Sequence, residues 1–220
     1  MRRFLPVLSL LVVFVGTGIA QIRVACVGNS ITEGYSLKDP SVEAYPAVMQ
    51  RLLGDDYLVM NFGLSGYTLM NKGNLPYMKS RKFQDALASN PDIVTIKLGT
   101  NDSKPYNWDN HKEDFVPSLN ALIDSFQCLP SHPAIYICLP APASGVNFDI
   151  VPEIVDNEIC PLIVKVANER GLPVININEA LRPYLETLED KIHPNRLGAA
   201  IIAEEITRRI MVDAAKQLSK

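Results

Sequence analysis

Ile22-Arg23-Val24-Ala25-Cys26-Val27-Gly28-Asn29-Ser30-Ile31-Thr32 is an apolar, β-branched run that ends abruptly in a glycine, an amide and a hydroxyl. A run of this kind suits a strand buried on both faces, and the small polar residues after it suit a tight turn into a helix. Four more runs share its character: Leu58 to Phe62, Asp92 to Leu98, Ala134 to Leu139 and Pro173 to Ile177. Between them lie stretches with helical spacing, at Tyr45 to Leu53, Ser80 to Ala88, Lys112 to Phe126 and Ile154 to Glu169, and Asn195 to Ala215 closes the chain as another. Strands that alternate with helices and are apolar throughout predict a five-stranded parallel sheet with helices on both faces. The site of such a sheet lies at the carboxyl ends of its strands.

Those ends are polar here. The first strand delivers Gly28-Asn29-Ser30, the second Gly63-Leu64-Ser65-Gly66 and the third Gly99-Thr100-Asn101-Asp102. After the fifth strand, before the last helix, comes Asp190-Lys191-Ile192-His193-Pro194. A serine hydroxyl becomes a useful nucleophile when a histidine can take its proton and a carboxylate fixes that histidine's tautomer. Acyl transfer also needs hydrogen-bond donors aimed at the oxyanion. The expected assignment makes Ser30 the nucleophile, His193 the base and Asp190 its orienting acid. The oxyanion hole is expected from the backbone amides of Ser30 and Gly66 with the side-chain amide of Asn101.

Each residue also has a plainer reading. Ser30 with Glu33 makes a capping box, Gly66 suits any turn that needs positive φ, Asn101 can cap its own turn, and His193 before Pro194 suits an exposed loop. Their shared position at strand ends favours the catalytic assignment.

The four blocks around Ser30, Gly66, Asn101 and His193 resemble, in order and spacing, the SGNH or GDSL hydrolases. The resemblance covers nearly the whole chain from Ile22 onward. It implies a three-layer α/β/α sandwich, flavodoxin-like in its sheet, and ester hydrolysis with no metal or organic cofactor. Asn29 stands where that family usually has aspartate, which implies altered tuning with activity retained. The stretches Asn61 to Thr68 and Leu98 to Trp108 are also similar to secreted bacterial members related to sialate and xylan O-acetylesterases.

Substrate is expected to be a small acylated molecule, an acetylated glycan above others, bordered by Asn29 and by Tyr67, Tyr77, Tyr106 and Trp108, whose rings combine flat faces with polar handles. Lysophospholipase or thioesterase activity is the alternative, because the same residues serve any acyl ester. A glycan-binding module that has lost catalysis is a third reading.

Arg2 and Arg3, the apolar run Phe4 to Val15 and the small residues Gly18 and Ala20 read as a secretory signal cut after Ala20, leaving one domain over residues 21–220. The run is short for a membrane anchor, so a secreted or periplasmic protein is expected. The formal net charge of -3 and the absence of a basic cluster give no reason to bind nucleic acid. Three scattered histidines make no zinc site. The four cysteines, Cys26, Cys128, Cys138 and Cys160, are expected to be mostly structural, with any bridge involving Cys128 or Cys160.

Overall fold

The structure is a computed structural model that describes residues 20–218. The signal read over residues 1–20 falls, apart from Ala20, outside the described residues. Five parallel strands form one sheet in the order β2-β1-β3-β4-β5: β1 Ile22–Gly28, β2 Tyr57–Gly63, β3 Ile93–Lys97, β4 Ala134–Cys138 and β5 Val174–Ile175. The chain moves one way from β1 to β2 and the other way from β2 to β3, so the switch point lies between β1 and β3. Ligands of doubly wound sheets collect there.

Helices cover both faces: α1 Ser30–Glu33, α2 Pro40–Glu43, α3 Tyr45–Leu53, α4 Arg81–Ala88, α5 Pro105–His111, α6 Phe115–Gln127, α7 Pro152–Ile154, α8 Cys160–Glu169, α9 Ile177–Leu181 and α10 Arg196–Leu218. The two-residue period of the strands sorts the core. Ala25, Val27, Val94, Ile96, Ile135 and Ile137 face α4, α5, α6 and α8, where Phe83, Trp108, Phe115, Leu122 and Ile163 meet them. Val24, Cys26, Tyr136, Cys138 and Ile175 face the opposite layer, with Tyr45 and Met49 of α3, Leu181 of α9 and Ile202 and Ile206 of α10. Each large apolar side chain taken out of water on these faces contributes about 2 kcal/mol.

The fifth strand is shorter than expected, because Asn176 caps a helix that already begins at Ile177 and its side chain accepts from Glu179 N. The helix read from Ile154 starts with a π turn over Val155–Ile159, and α8 proper begins at Cys160 with a proline in its first turn. All four cysteines are free, Cys128 exposed and the others buried, so the structure shows no bridge to Cys128 or Cys160. Among the described residues no helix is long and apolar enough to cross a membrane.

Candidate active site

The position of Ser30 follows from how β1 ends. Gly28 can carry no side chain: a Cβ there would sit 1.9 Å from Thr32 Oγ1. Asn29 takes extended backbone (φ -101°, ψ -152°) and its Oδ1 accepts from Ile31 N at 3.2 Å, so the amide, and not Ser30, caps α1. Asn29 is fully buried; placed as a cap beneath α1, it does not border substrate as expected. Ser30 Oγ is thereby free of the capping role and points into the cleft.

Three side chains from distant parts of the chain then form one hydrogen-bonded line. His193 Nε2 lies 2.9 Å from Ser30 Oγ, and His193 Nδ1 lies 2.6 Å from Asp190 Oδ2. Asp190 Oδ1 accepts the backbone amides of Ile192 at 2.9 Å and His193 at 2.7 Å, so the acid holds both ring and loop. A proton on Nδ1 shared with the carboxylate leaves Nε2 as acceptor for the Ser30 O–H. His193 is 6% exposed, which rules out the exposed-loop reading.

The electrostatics are consistent with a neutral base. Burial lowers the His193 pKa below its usual 6.5; Asp190 opposes this, and the cations Lys97 and Lys104 reinforce it. For Asp190, burial pushes upward but the hydrogen bonds from His193 and Ile192 win, holding the carboxyl below its ordinary value. Lys97 is the unusual contributor. It is fully buried in the central strand, its Nζ has no hydrogen-bond partner among the described residues, and burial pulls its amine down to about 8. Gly28 is its partner in the β1 register, and Thr32 fills the space over that glycine.

Because the folded-state pKa of His193 is depressed, the neutral imidazole is present at pH 7 and is lost only as pH falls below 6.5. The expected kcat/KM profile is therefore flat around neutrality, with an acid limb centred below 6.5. A limb centred above 6.5 would mean that Asp190 outweighs burial.

Besides the Ser30 amide, the expected oxyanion donors follow β2 and β3. Gly63 lets β2 close onto α1, where a Cβ would come within 2.1 Å of Glu33 N. Glu33 in turn accepts from Ser65 N at 2.8 Å and from the Ser65 hydroxyl, and Gly66 follows with φ 84°. The other side of this loop is held by Asp102, whose carboxylate accepts Leu69 N at 2.9 Å and Met70 N at 2.8 Å. Desolvation lifts that fully buried carboxyl to about 6 against the pull of the amides. Asn101 Nδ2 donates to Tyr67 O at 3.0 Å, which orients the amide and leaves its second hydrogen available. No acceptor among the described residues takes the Ser30 or Gly66 N–H.

Ser30, Gly66, Asn101 and His193 line a cavity of about 150 Å³ together with Tyr35, Ser65, Lys104, Phe148 and Ile150. A groove of about 420 Å³ also opens on His193, lined by Lys38, Glu43, Glu189, Asn195 and Arg196 among others.

The aromatic wall differs from the one expected. Trp108 is buried, edge to face with Phe115, and its Nε1 donates to Glu158 at 2.9 Å. Tyr77 is buried with its hydroxyl on Phe62 O at 2.6 Å. Tyr67 is half-buried and packs on the core, and Tyr106 is exposed outside the cavity. Tyr35 and Phe148 take their place. Phe148 lies in the loop leaving β4 at the sheet's carboxyl edge, and that position was the available signal for it. Among the described residues no group of three or more His, Cys, Asp or Glu is placed to hold a metal.

Known proteins resemble this chain in sequence and in fold. Residues 26–201 match the sequence model of the GDSL-like lipase/acylhydrolase family. The chain is 39% identical over 207 residues to an acetylxylan esterase of Xylanibacter ruminicola, covering 86% of this chain and 43% of that protein. It thus spans less than half of that relative's length. An acetylxylan esterase of Geobacillus stearothermophilus is 24% identical, with 69% and 71% covered. Among solved structures, a carbohydrate acetylesterase family member from Sinorhizobium meliloti superposes with a TM-score of 0.70 at 21% identity, covering 86% and 97%. The aryl esterase of M. smegmatis gives 0.70 at 18% identity, covering 88% and 99%. These two show the same fold.

Proposed function

The chain belongs to the GDSL-like lipase/acylhydrolase family, and from that premise we propose that it is a serine esterase that removes short acyl groups, acetyl above all, from carbohydrates. The observation that carries the reading is the Ser30–His193–Asp190 line standing in a cavity of about 150 Å³ beside Gly66 and Asn101.

In the proposed reaction, Ser30 Oγ attacks the ester carbonyl as His193 Nε2 takes its proton. The oxyanion is received by the Ser30 and Gly66 amides and Asn101 Nδ2. His193, now charged and steadied by Asp190, gives the proton to the departing alcohol, and a water repeats the sequence on the acyl-enzyme.

The size of the cavity supports a short acyl group. At about 150 Å³ the cavity is below the usual range of ligand pockets, which favours an acetyl over an eight-carbon acyl group. The 39% identity to an acetylxylan esterase supports the carbohydrate part. The apolar N-terminal run with its two arginines supports the further reading that the enzyme acts after export.

The test is hydrolysis of p-nitrophenyl acetate against p-nitrophenyl octanoate, followed by acetate release from acetylated xylo-oligosaccharides. The acetyl ester should be favoured by about tenfold or more in kcat/KM. Preference for octanoate would move the protein to the lysophospholipase or thioesterase class, and glycan binding without turnover would make it a binding module.

A further inference from the structure

The loop after β4 contains two consecutive non-glycine residues in the left-handed region, Phe148 at φ 51° and Asp149 at φ 61°. Asn147 and Ile150 pair across them as an antiparallel bridge, with Ile150 N donating to Asn147 O at 2.9 Å. This is a two-residue hairpin turn whose central positions favour Asn and Gly. A phenylalanine there is strained, and strain of this kind collects where a side chain must be held in a particular place. The turn is tied to the loop that carries the base. Asn147 Nδ2 donates to Asp190 O at 2.7 Å, and Ser144 N donates to Lys191 O at 2.9 Å.

What the turn presents is a ring beside the imidazole. Phe148 lies 5.3 Å from His193 and 6.2 Å from Tyr35, and Tyr35 lies 4.5 Å from His193. Both rings are nearly half exposed, at 44% and 47%, although they border the cleft that holds Ser30. Large aromatic surface left in water at the mouth of a site is surface left for a ligand.

The reaction says which part of the ligand. An ester in the cavity places its carbonyl oxygen toward Gly66 and Asn101, while His193 Nε2 must reach the leaving oxygen. The alcohol half therefore lies on the imidazole side, between the two rings. We propose that Tyr35 and Phe148 form the leaving-group platform, on whose apolar faces the pyranose ring of an acetylated sugar packs. This deepens the carbohydrate esterase reading and rests on it.

The experiment compares an acetylated xylo-oligosaccharide with ethyl acetate, whose leaving group has no ring, in the wild type, Phe148→Gly, Tyr35→Ala and Phe148→Trp. Glycine suits the turn, so Phe148→Gly should fold with a Tm no lower than wild type. Its kcat/KM ratio for the sugar ester over ethyl acetate should fall about tenfold, through KM more than kcat, as should that of Tyr35→Ala. Phe148→Trp should keep the ratio. An unchanged ratio in both truncations overturns the platform, and so does a shift toward longer acyl chains with the sugar KM unaltered, which would put the rings on the acyl side. A wild type that hydrolyses ethyl acetate with no preference for the sugar ester overturns the carbohydrate reading together with the platform.

Discussion

Replacing Ser30 with alanine is expected to lower kcat for p-nitrophenyl acetate by about 10⁴-fold or more, at unchanged Tm. In the proposed reaction the hydroxyl is the only side-chain group of Ser30 that takes part, and its loss removes the acyl-enzyme route. The Ser30 backbone amide, Gly66 and Asn101 stay in place, so a small residual rate from oxyanion stabilisation should survive. Structure should hold as well. Asn29 caps α1, not Ser30, and the one partner lost at the 8% exposed site is that of His193 Nε2, which lines the cleft, where a water can replace the hydroxyl. A variant that keeps half of its activity would show that the hydroxyl is a bystander. Intact-protein mass spectrometry with an acyl-enzyme trap on wild type and variant gives the complementary readout.

Asp190→Asn is expected to cost about 10⁴-fold in kcat with the fold retained. An asparagine oxygen can still accept the amides of Ile192 and His193 that Asp190 Oδ1 now accepts. Its NH2 group, however, would face His193 Nδ1 as a donor. That favours the tautomer with the proton on Nε2, which then cannot take the Ser30 proton. The imidazolium would also lose its counter-charge. Steady-state kinetics beside circular dichroism tests this, and a loss below tenfold would leave Ser30 and His193 working as a dyad.

Much of this is legible in the sequence. Alternation of apolar runs and helical spacing predicted the parallel sheet, because the two-residue and 3.6-residue periods are local properties of the chain. The polar residues after β1, β2 and β3 pointed to one edge, because parallel strands end on the same side. The end of β5 was less legible, since Ile177 is as apolar as a strand residue and only the Asn176 cap reveals the helix.

The rings of the cleft are hidden from the sequence for a different reason. Trp108 looked like a rim residue because an indole suits core and surface alike. Its place in the apolar face that continues through Phe115 and Leu119 into α6 puts it in the core. Tyr35 and Phe148 carry no such pattern. They stand in irregular segments far apart in the chain, and neither segment's own sequence names the other or His193.

The chain's local patterns thus determined the layers, the edge at which the site lies and the chemical types of the groups brought there, since periodicity and turn residues act over a few positions. Tertiary structure alone decided that His193 meets Ser30 across the fold, that burial favours the neutral form of its ring, and that two distant rings flank the imidazole. Those outcomes depend on distances between residues far apart in the chain, and only packing sets them.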